Sequence, residues 1–544
     1  MTVRNIATKP FDDQRPGTAG LRKKVRVFQQ PHYLENFLQA VFDAAGGFAG
    51  ATLVAGGDGR YWNREALGVL FRIAAGNGVK RVIVGREGLL STPAASHLIR
   101  LRGAAGGFLL TASHNPGGPD GDFGVKFDTA NGGQAPEALT DAAWRASLAI
   151  ESYRLADIPE PDLEHEGLQQ AGPLEIEVVD PVADYADLMA RLFDFDSIRN
   201  LLTSGDFRMR FDALNAITGP YAVEILERRL GAPAGSVVNA VPLPDFGGLH
   251  PDPNPGDAAH LVEWMDGPDP GDFAAASDGD GDRNMIVGQG MVVSPGDSLA
   301  VLAAHAHTVP GYREGLAGVA RSMPTSRAVD RVADALGIPC YETPTGWRFF
   351  CNLLDAGRAD LCGEESFGTS SSHTREKDGL WAVLFWLNLV AHTGLSVRRL
   401  VEDHWRRFGR HAFARHDWFI ADGERAATVM RSLEAQLEQL AGTTLAGSRI
   451  DRADSFTYRD PVDGSISAGQ GIRVFLADGS RLVFRLSGTG TEGATLRIYL
   501  ERYLPPDASH AGSGPELTAA LGEAAAGLAR IRELTGVAGP AGVI

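Results

Sequence analysis

The sequence contains little cysteine and no long apolar run. Its three cysteines, at positions 340, 351 and 362, are odd in number and form no C-x-x-C pair. We therefore expect reduced core thiols rather than disulfides or zinc ligands, and a reducing compartment. The amino terminus lacks the apolar stretch of a signal peptide. The most apolar segment, residues 380–391, is short and contains Asn388, which favours a buried helix over a membrane span. We predict a cytoplasmic protein without a membrane partner.

Positive charge is also scarce. The 51 Lys and Arg residues stand against 68 Asp and Glu, so the net charge is −17, which argues against a nucleic-acid partner. An anionic substrate would need arginine and lysine concentrated at its binding site. The chain of 544 residues is too long for one core, and about three to four domains are expected from typical domain sizes.

Strand and helix patterns alternate through most of the chain. In the first region they predict strands at 51–55, 79–84 and 106–110, with helices at 64–75 and 92–101 between them. This βαβαβ order indicates an α/β domain with a mostly parallel sheet. The same order restarts twice, with weak sequence similarity between the units. The predicted strands of these two units are 207–211, 273–276, 318–321, 340–342 and 359–362, and the predicted helices are 221–230 and 326–336, the latter capped by Thr325 or Ser326.

The last segment has a different pattern. A long helix is predicted at 424–440, a hairpin joins 472–476 to 481–486 around Asp478-Gly479, and a final helix spans 515–534. The predicted fold class is α/β, with three related α/β domains and a C-terminal α+β domain around a central cleft. The predicted domains are 1–185 with a serine loop, 186–303 with an acidic loop, 304–395 with a sugar-binding loop and 396–544 with a phosphate-binding loop.

A serine-containing loop follows the predicted strand 106–110. Its sequence is Thr-Ala-Ser-His-Asn-Pro, and the glycines and prolines after it force a turn. Ser113 should therefore lie at the carboxyl end of a strand, where a hydroxyl can carry a phosphoryl group. No G-x-S-x-G pattern surrounds it, which weakens an esterase interpretation. His114 is by itself more typical of a structural imidazole, and Lys126 either reaches back to the serine loop or is solvated.

A second loop, Ser-Asp-Gly-Asp-Gly-Asp-Arg at 277–283, places three carboxylates at alternate positions with glycines between them. Such a loop can turn all three towards one point, where they repel one another unless a cation neutralises them. Oxygen ligands of this kind select Mg²⁺ or a similar ion. The alternative is a solvated acidic turn. An EF-hand is excluded because Arg283 occupies the position of its glycine and Gln289 that of its glutamate. Together with the serine, this loop indicates phosphoryl transfer.

Three further loops carry polar groups of matching chemistry. Arg485 to Thr491 offers hydroxyls, backbone amides and a guanidinium, with Arg497 nearby, and this composition suits a phosphate. Its G-x-G-x-x-G pattern precedes a strand-like segment, so a dinucleotide site is excluded. Glu364, Glu365 and Ser366 suit sugar hydroxyls or a helix cap. Lys377 is either a surface charge or a general acid or base, and Asp378 can cap the apolar helix after it.

These loops together resemble the α-D-phosphohexomutase superfamily, in its larger phosphoglucomutase branch. The resemblance covers almost the whole chain and rests on seven segments in the order of the family. They are PGTAGLR (16–22), TASHNPGG (111–118), DGDGDRN (278–284), TPTGW (343–347), GEESFG (363–368), REKDGLW (375–381) and DHW (403–405).

The resemblance implies a four-domain, heart-shaped enzyme that interconverts glucose 1-phosphate and glucose 6-phosphate through glucose 1,6-bisphosphate. Ser113 would carry the phosphoryl group, and Mg²⁺ would be held by Asp278, Asp280, Asp282 and a phosphoserine oxygen. Arg283, Lys377 and His114 are the further catalytic candidates. The remaining residues implied to bind the substrate, a small hexose phosphate, are Arg22, Lys126, Thr345, Gly346, Glu364, Ser366, Arg485, Ser487, Gly488, Thr489 and Arg497.

Overall fold

The structure is a computed structural model that describes residues 2–490 and 493–544, with residues 488–490 described by their backbone alone. Its first domain contains nine strands, β1 Val3–Ala7, β2 Leu21–Lys24, β3 Thr52–Gly57, β4 Arg81–Leu89, β5 Gly106–Leu110, β6 Asp122–Thr129, β7 Ser152–Ala156, β8 Gly167–Ala171 and β9 Leu174–Val179. Its helices are α1 Val25–Phe28, α2 Tyr33–Ala44, α3 Asn63–Gly76, α4 Thr92–Arg102 and α5 Glu137–Leu148. The main sheet has the order β2-β6-β5-β3-β4-β9-β8, and β1 pairs with β7 in a separate ribbon.

The second and third domains contain smaller sheets. The second has helices α6 Ala183–Leu192, α7 Phe195–Leu202, α8 Thr218–Ala222 and α9 Ala259–Met265, with strands β10 Met209–Asp212, β11 Val237–Val238, β12 Phe273–Ser277, β13 Asn284–Gly288 and β14 Met291–Val292. The predicted helix at 221–230 is largely a π-helix, Val223–Arg229. The third has helices α10 Pro295–His305, α11 Ala328–Leu336, α12 Arg348–Asp355, α13 Gly379–Thr393 and α14 Val397–Phe408, with strands β15 Val319–Ser322, β16 Cys340–Thr343, β17 Leu361–Gly363 and β18 Thr369–Ser371.

The three α/β domains share one strand order. Four consecutive strands of each domain are arranged as second, first, third, fourth, namely β4-β3-β5-β6, β11-β10-β12-β13 and β16-β15-β17-β18. The first three strands of each set are parallel, and the fourth is antiparallel to the third. The sheets are therefore parallel at their centres and antiparallel at one edge in the second and third domains, and at both edges in the first, where β8 is antiparallel to β9. The predicted relation between the domains is confirmed. In each domain the loop between the third and fourth strands carries one of the predicted site segments.

The fourth domain is an antiparallel sheet with helices. Its strands are β19 Arg410–Ile420, β20 Thr444–Leu445, β21 Ser448–Ser455, β22 Tyr458–Arg459, β23 Ile466–Ser467, β24 Ile472–Leu476, β25 Arg481–Gly490, β26 Gly493–Leu504 and β27 Gly542–Val543. The helices are α15 Gly423–Glu434, α16 Leu437–Leu440, α17 Gly514–Leu528 and α18 Ile531–Thr535. The main sheet has the order β20-β21-β24-β25-β26-β19-β27. The hairpin predicted around Asp478-Gly479 joins β24 to β25.

Three local predictions are wrong. The helix predicted at 424–440 is divided into α15 and α16, and the final helix is interrupted at Arg530, which adopts the left-handed φ of 51°. The helix predicted to be capped by Thr325 or Ser326 begins after Arg327 without a side-chain cap. The Thr325 hydroxyl is instead paired with that of Ser322. The domain bounds stay a prediction, and those at 185/186 and 303/304 fall inside α6 and α10.

The apolar helix α13 is the centre of the largest hydrophobic cluster. Its residues from Gly379 to Val390 are buried, and the cluster joins them to apolar residues of the first three domains and of α14. Among the described helices no single one is long and apolar enough to cross a membrane. The pair α13 and α14 meets the length and composition criteria only when taken together across a bend of 83°. The prediction of a buried helix at 380–391 is confirmed.

Asp378 caps α13, as predicted, and also binds two side chains of the core. Its carboxylate accepts hydrogen bonds from Trp381 N (3.0 Å), Tyr185 Oη (2.6 Å) and His373 Nε2 (2.9 Å). The Asp378 side chain is fully buried. Removing it therefore deprives a helix terminus and two buried polar groups of their partner.

Asp378→Ala should lower the free energy of unfolding by about 3–5 kcal/mol, because it removes a helix cap and leaves two buried donors unpaired. The loss can be measured by urea denaturation followed by tryptophan fluorescence. Ser396→Ala is the matched control, since Ser396 caps α14 through Arg399 N alone and its loss should cost about 1 kcal/mol. Equal losses for the two variants would contradict this account of Asp378.

Candidate active site

The Ser113 side chain points from the β5–β6 loop towards the acidic loop of the second domain. Ser113 Oγ donates a hydrogen bond to Asp278 Oδ2 at 2.9 Å and lies 3.3 Å from His114 Nδ1. The residue is 1% exposed and has a φ of 53°. This left-handed conformation is strained for a residue with a side chain, and such strain is found mainly where the surrounding structure enforces it.

A buried ion pair holds the serine loop in this conformation. Arg60 and Asp58, which follow β3, pair at 2.9 Å with both side chains fully buried. The Arg60 guanidinium donates to the carbonyl oxygen of Ser113 (2.7 Å) and to that of Asp122 (2.8 Å). Asp58 accepts from Thr111 Oγ1 (2.5 Å), which accepts in turn from Ser113 N (2.8 Å). Burial raises the pKa of Asp58, although Arg60 opposes that shift.

The sequence analysis missed this pair, although a signal for it was present. Asp58 lies three residues after the predicted strand 51–55, just as Ser113 lies three residues after the predicted strand 106–110. The carboxyl ends of neighbouring parallel strands lie at the same edge of a sheet. Strands β3 and β5 are in fact adjacent and parallel.

The acidic loop lies between β12 and β13 and is shaped by its two glycines. A side chain on Gly279 would collide with the carbonyl oxygen of Ser113, so glycine permits the close approach of the first two domains. Gly281 has a φ of 82°, which favours glycine. Asp278 Oδ1 accepts from the backbone N–H groups of Asp282 (2.9 Å) and Arg283 (3.1 Å). The loop thus folds back on its first carboxylate.

Three cationic side chains surround the carboxylates. Lys126 Nζ lies 2.6 Å from Asp280 Oδ2 and 3.4 Å from Asp282 Oδ2, so it reaches the acidic loop and is not solvated. Lys377 Nζ lies 3.2 Å from Asp282 Oδ2. Arg283 Nε is 3.9 Å from both Asp278 Oδ2 and Asp282 Oδ1. Residues from three domains therefore meet at one group of charges.

The carboxylates differ in their electrostatic environment. Burial, followed by repulsion from Asp282 and Asp280, raises the pKa of Asp278 well above its ordinary value. Burial also disfavours the charge of Asp280, but the ammonium groups of Lys126 and Lys377 outweigh it and lower the pKa of that carboxyl. The Lys126 pKa is raised, because attraction to Asp280 and Asp282 exceeds the opposing effect of burial.

This arrangement fits a divalent cation. One ligand atom from each of the three aspartates lies within 4.8 Å of the others. Asp280 Oδ1 and Asp282 Oδ1 are buried and accept no hydrogen bond. Buried carboxylate oxygens without a partner are costly unless an ion occupies the space between them. An all-oxygen donor set of this size suits a hard cation such as Mg²⁺.

The predicted sugar-binding residues lie in the third domain beside the charged group. Glu364 Oε1 accepts from Gly346 N at 2.9 Å, so these two predicted residues are brought together. Burial raises the pKa of Glu364, and the charge of Lys377 opposes the shift. Ser366 is partly exposed and Thr345 Oγ1 is buried without a partner. The loop is tied to the second domain because Asn284 N donates to the Phe367 carbonyl oxygen at 2.9 Å.

Arg22 and His114 complete the surroundings of the serine. Arg22 lies on β2 opposite Gly124 of β6, and burial lowers the pKa of its guanidinium. Burial also holds the pKa of His114 well below its ordinary value, and the charges of Arg283, Arg22 and Lys377 add to the effect. His114 is therefore a neutral imidazole close to the Ser113 hydroxyl.

The predicted phosphate-binding arginines lie on adjacent strands of the fourth domain. Arg485 of β25 is opposite Arg497 of β26, and Arg485 Nη1 donates to Tyr499 Oη at 3.2 Å. Arg497 is also opposite Asp417 of β19, with Arg497 Nε 3.7 Å from Asp417 Oδ1. Ser487 is partly exposed. Gly488 and Thr489 are described by their backbone alone, so the prediction for the Thr489 hydroxyl lies outside what the structure describes.

The sequence analysis missed two charged residues beside these arginines, Arg415 and Asp417. Arg415 lies two residues before Asp417 on β19, and Arg415 Nη2 donates to Asp417 Oδ2 at 3.0 Å. No motif in the segment 410–420 singles them out. Among the described residues, no hydrogen bond or ion pair joins Arg485, Ser487 or Arg497 to the serine and acidic loops. A ligand that contacts both the fourth-domain arginines and these two loops therefore has to bridge them.

The chain matches four family models along its length. They are described as phosphoglucomutase/phosphomannomutase, alpha/beta/alpha domain I (residues 13–154), domain II (183–290) and domain III (295–408), and as phosphoglucomutase-1, C-terminal domain (410–541).

Relatives and a solved structure match over nearly the whole chain. A phosphoglucomutase of Rhizobium radiobacter is 56% identical and covers 96% of this chain and 95% of its own. Phosphoglucomutase-1 of Oryctolagus cuniculus is 48% identical, with 98% of each chain covered. The crystal structure of the phosphoprotein pp63/parafusin from Paramecium, titled an open form of a phosphoglucomutase, has a TM-score of 0.92 at 42% identity and covers 100% of this chain and 99% of its own. The chain belongs to the phosphoglucomutase/phosphomannomutase family, and it is an enzyme of the α-D-phosphohexomutase superfamily.

Proposed function

We propose that this enzyme is a phosphoglucomutase that interconverts glucose 1-phosphate and glucose 6-phosphate, with a phosphoserine at Ser113 and glucose 1,6-bisphosphate as the intermediate. The observation that carries the proposal is the 2.9 Å hydrogen bond from Ser113 Oγ to Asp278 of the acidic cluster. It brings a hydroxyl that can carry phosphate next to a group of oxygens that fits a divalent cation. Relatives 48–56% identical, named phosphoglucomutase, support the choice of substrate.

The reaction consists of two phosphoryl transfers. In the first, the bond between phosphorus and Ser113 Oγ breaks while a bond forms between phosphorus and the free hydroxyl oxygen of the hexose phosphate. The hydroxyl proton leaves to a base, and the product is the bisphosphate. After the bisphosphate turns over in the cleft, Ser113 Oγ attacks its other phosphoryl group, and the freed sugar oxygen takes up a proton. Phosphate is conserved, and the enzyme returns to its phosphorylated form.

Lys377 and His114 are the groups that can move these protons. Lys377 is our preferred proton-transfer partner of the sugar hydroxyl, because Lys377 Nζ lies beside the acidic loop at 3.2 Å from Asp282 Oδ2. As an amine it can accept the proton of the first transfer, and as an ammonium it can return one in the second. His114 Nδ1 lies 3.3 Å from Ser113 Oγ, and its neutral imidazole can accept the proton that Ser113 loses. Arg283 would stabilise the charge of the phosphoryl group during transfer.

Mg²⁺ would be held by Asp278, Asp280, Asp282 and an oxygen of phosphorylated Ser113. When bound, it neutralises charge on the phosphoryl oxygens as a Lewis acid. Lys126 orients two of the carboxylates through its contacts with Asp280 and Asp282.

The remaining contacts would position the hexose phosphate across the cleft. Glu364 and Ser366 would bind sugar hydroxyls, with Thr345, Gly346 and Arg22 beside them. The phosphate that is not being transferred would bind in the fourth domain to Arg485, Ser487, Gly488, Thr489 and Arg497. The substrate then bridges two charged groups that have no recorded direct bond in the described part of the chain. We keep the cytoplasm as the predicted compartment, and three free cysteines suit its reducing conditions.

A coupled assay tests the function. Glucose 1-phosphate, Mg²⁺ and a trace of glucose 1,6-bisphosphate are supplied, and glucose 6-phosphate is detected through a dehydrogenase. Faster turnover of mannose 1-phosphate would replace the proposed substrate with another hexose. Steady release of inorganic phosphate would indicate a hydrolase, and no turnover of any hexose phosphate would indicate a scaffold that keeps only the fold.

Ser113→Ala should abolish mutase turnover while the protein stays folded, because the variant has no oxygen to carry the phosphoryl group. The readouts are the coupled assay, circular dichroism, and the intact mass of both proteins after incubation with glucose 1,6-bisphosphate. Only the wild type should gain the mass of one phosphoryl group. Wild-type turnover by the variant would refute the assignment of the nucleophile.

Arg60→Lys should lower kcat about 10- to 100-fold with little change in KM, because the shorter hydrogen-bonding reach of lysine releases the Ser113 carbonyl and misplaces the nucleophile. Steady-state kinetics measure both constants. Arg64→Lys is the control, since Arg64 pairs with Glu164 on an exposed surface and its substitution should change neither constant. A rise in KM at constant kcat would show that Arg60 acts on binding instead.

Arg497→Ala should raise the KM for glucose 1-phosphate about tenfold or more, because it removes a charge-assisted contact to phosphate. It should leave the concentration of Mg²⁺ needed for half-maximal activity unchanged. Arg502→Ala, further along β26, removes an exposed arginine whose partner is the Leu517 carbonyl oxygen and serves as the control. An unchanged KM in Arg497→Ala would remove this arginine from the phosphate site.

A further inference from the structure

Two buried carboxyl groups lie at the boundary of the first and third domains and have no role in the reaction described above. Asp128 is on β6, two residues after Lys126, and Glu376 immediately precedes Lys377. Both are fully buried. The Asp128 backbone forms an antiparallel bridge with Gln134, the residue whose side chain contacts Glu376, so the two carboxyl groups lie close together.

Their oxygen atoms are almost without donors. Asp128 Oδ1, Asp128 Oδ2 and Glu376 Oε1 are buried and accept no hydrogen bond. The fourth oxygen, Glu376 Oε2, accepts a hydrogen bond from Gln134 Nε2 at 3.1 Å. Two ionised carboxylates in this position would repel each other and leave three buried acceptors unsatisfied. A single proton between them turns one group into a donor, removes the repulsion and pairs two of the three oxygens.

We propose that Asp128 and Glu376 share one proton and act as a pair of positioning residues for Lys126 and Lys377, the two lysines that hold the acidic loop. The positioning role rests on the proposed function, whereas the shared proton does not. With the proton in place, the pair joins β6 to the segment before α13. The two lysines then contact the acidic loop together, Lys126 at Asp280 and Asp282 and Lys377 at Asp282.

The surroundings of the pair support a retained proton. Burial raises the pKa of Asp128 to about 7, although Lys126 opposes the shift. Burial and the charge of Asp128 raise the pKa of Glu376 well above its ordinary value. The other charged or titratable groups that face the pair are Lys126, Lys377, Asp280, Asp282 and the thiol of Cys351. Of these, the two lysines stabilise a charged carboxylate and the two aspartates oppose it.

The contacts around the pair join the same two domains. Arg375 N donates to Ser96 Oγ at 2.9 Å, and Asn131 Nδ2 donates to Asp355 Oδ2 at 2.7 Å. A side chain on Gly133 would come within 2.7 Å of Cys351 Sγ. The boundary is therefore tightly packed, and a second negative charge cannot be accommodated by a small movement of either side.

The pH dependence of stability measures the proton. The folded pKa of the pair is raised above the value of about 4 that unfolded carboxyl groups have. Its stabilising effect is therefore complete below pH 4 and is lost as the pH rises towards 7. Within this window the unfolding equilibrium constant of the wild type should rise by up to about tenfold per pH unit relative to that of Asp128→Asn, because the variant lacks one titrating site.

The experiment compares urea denaturation of the full-length wild type, Asp128→Asn and Glu376→Gln between pH 5 and 8. The control is Asp334→Asn, an exposed residue of α11. In either variant at the pair, the slope of the unfolding free energy against pH should correspond to about one proton fewer than in the wild type. The control should have the wild-type slope. If one variant at the pair does not fold, the other still gives the result. Slopes equal to that of the wild type in the variants that fold would overturn the proposal.

Two further readouts separate the alternatives. The first compares KCl with choline chloride at equal ionic strength. If KCl stabilises the wild type more than choline chloride does, and has no such effect on Asp128→Asn, a cation satisfies the unpaired oxygens. That result would overturn the shared proton. In the coupled assay, kcat of the wild type should fall more steeply between pH 7 and 9 than that of Asp128→Asn, because repulsion within the ionised pair displaces the lysines. If denaturation confirms the shared proton but kcat depends on pH in the same way in the wild type and in Asp128→Asn, the positioning role is overturned. Absence of turnover in the wild type would refute the proposed function and leave the denaturation result standing.

Discussion

Mutual repulsion among three buried carboxylates is the constraint on which the arrangement of this protein depends. Asp278, Asp280 and Asp282 are each 1% exposed or less, and so many negative charges cannot be buried together without compensation. Each of the first three domains supplies part of that compensation. Lys126 comes from the first, Arg283 from the second and Lys377 from the third, while the space between the unpartnered oxygens fits a cation. The packing of the three domains is thus coupled to the charge balance of the site.

The repeated strand order explains how the chain brings these groups together. In each α/β domain the loop between the third and fourth strands faces the same centre. One copy carries a hydroxyl, the next carries carboxylates, and the third carries a glutamate and a serine suited to a sugar. Gly279 against the Ser113 carbonyl and Asn284 on the Phe367 carbonyl connect the first copy to the second and the second to the third. The fourth domain has another topology and supplies arginines from adjacent strands.

Much of this could be predicted from the sequence, because the strands are short apolar runs and the site loops have distinctive compositions. The strand Gly106–Leu110, the buried helix α13 and its cap at Asp378 are examples. The breaks after Glu434 and at Arg530 were not predicted, since no Gly or Pro lies at the first, and Gly527 before the second is itself helical. The Asp58–Arg60 pair and the Asp128–Glu376 pair were missed for a related reason. Composition does not tell a buried charge from a solvated one: Asp58 and Arg60 are neighbours in a loop that the sequence alone leaves exposed, and Asp128 and Glu376 are 248 positions apart.

The shared strand order also has a consequence for how the enzyme matures. No single sheet in the described part of the chain carries the whole set of groups, because the hydroxyl and Lys126 belong to the first sheet, the carboxylates to the second, and Lys377 follows the third. A nascent chain that has completed only its first sheet already holds a strained serine, but that hydroxyl has nothing to react with. The complete set of groups therefore exists only once the three sheets have docked.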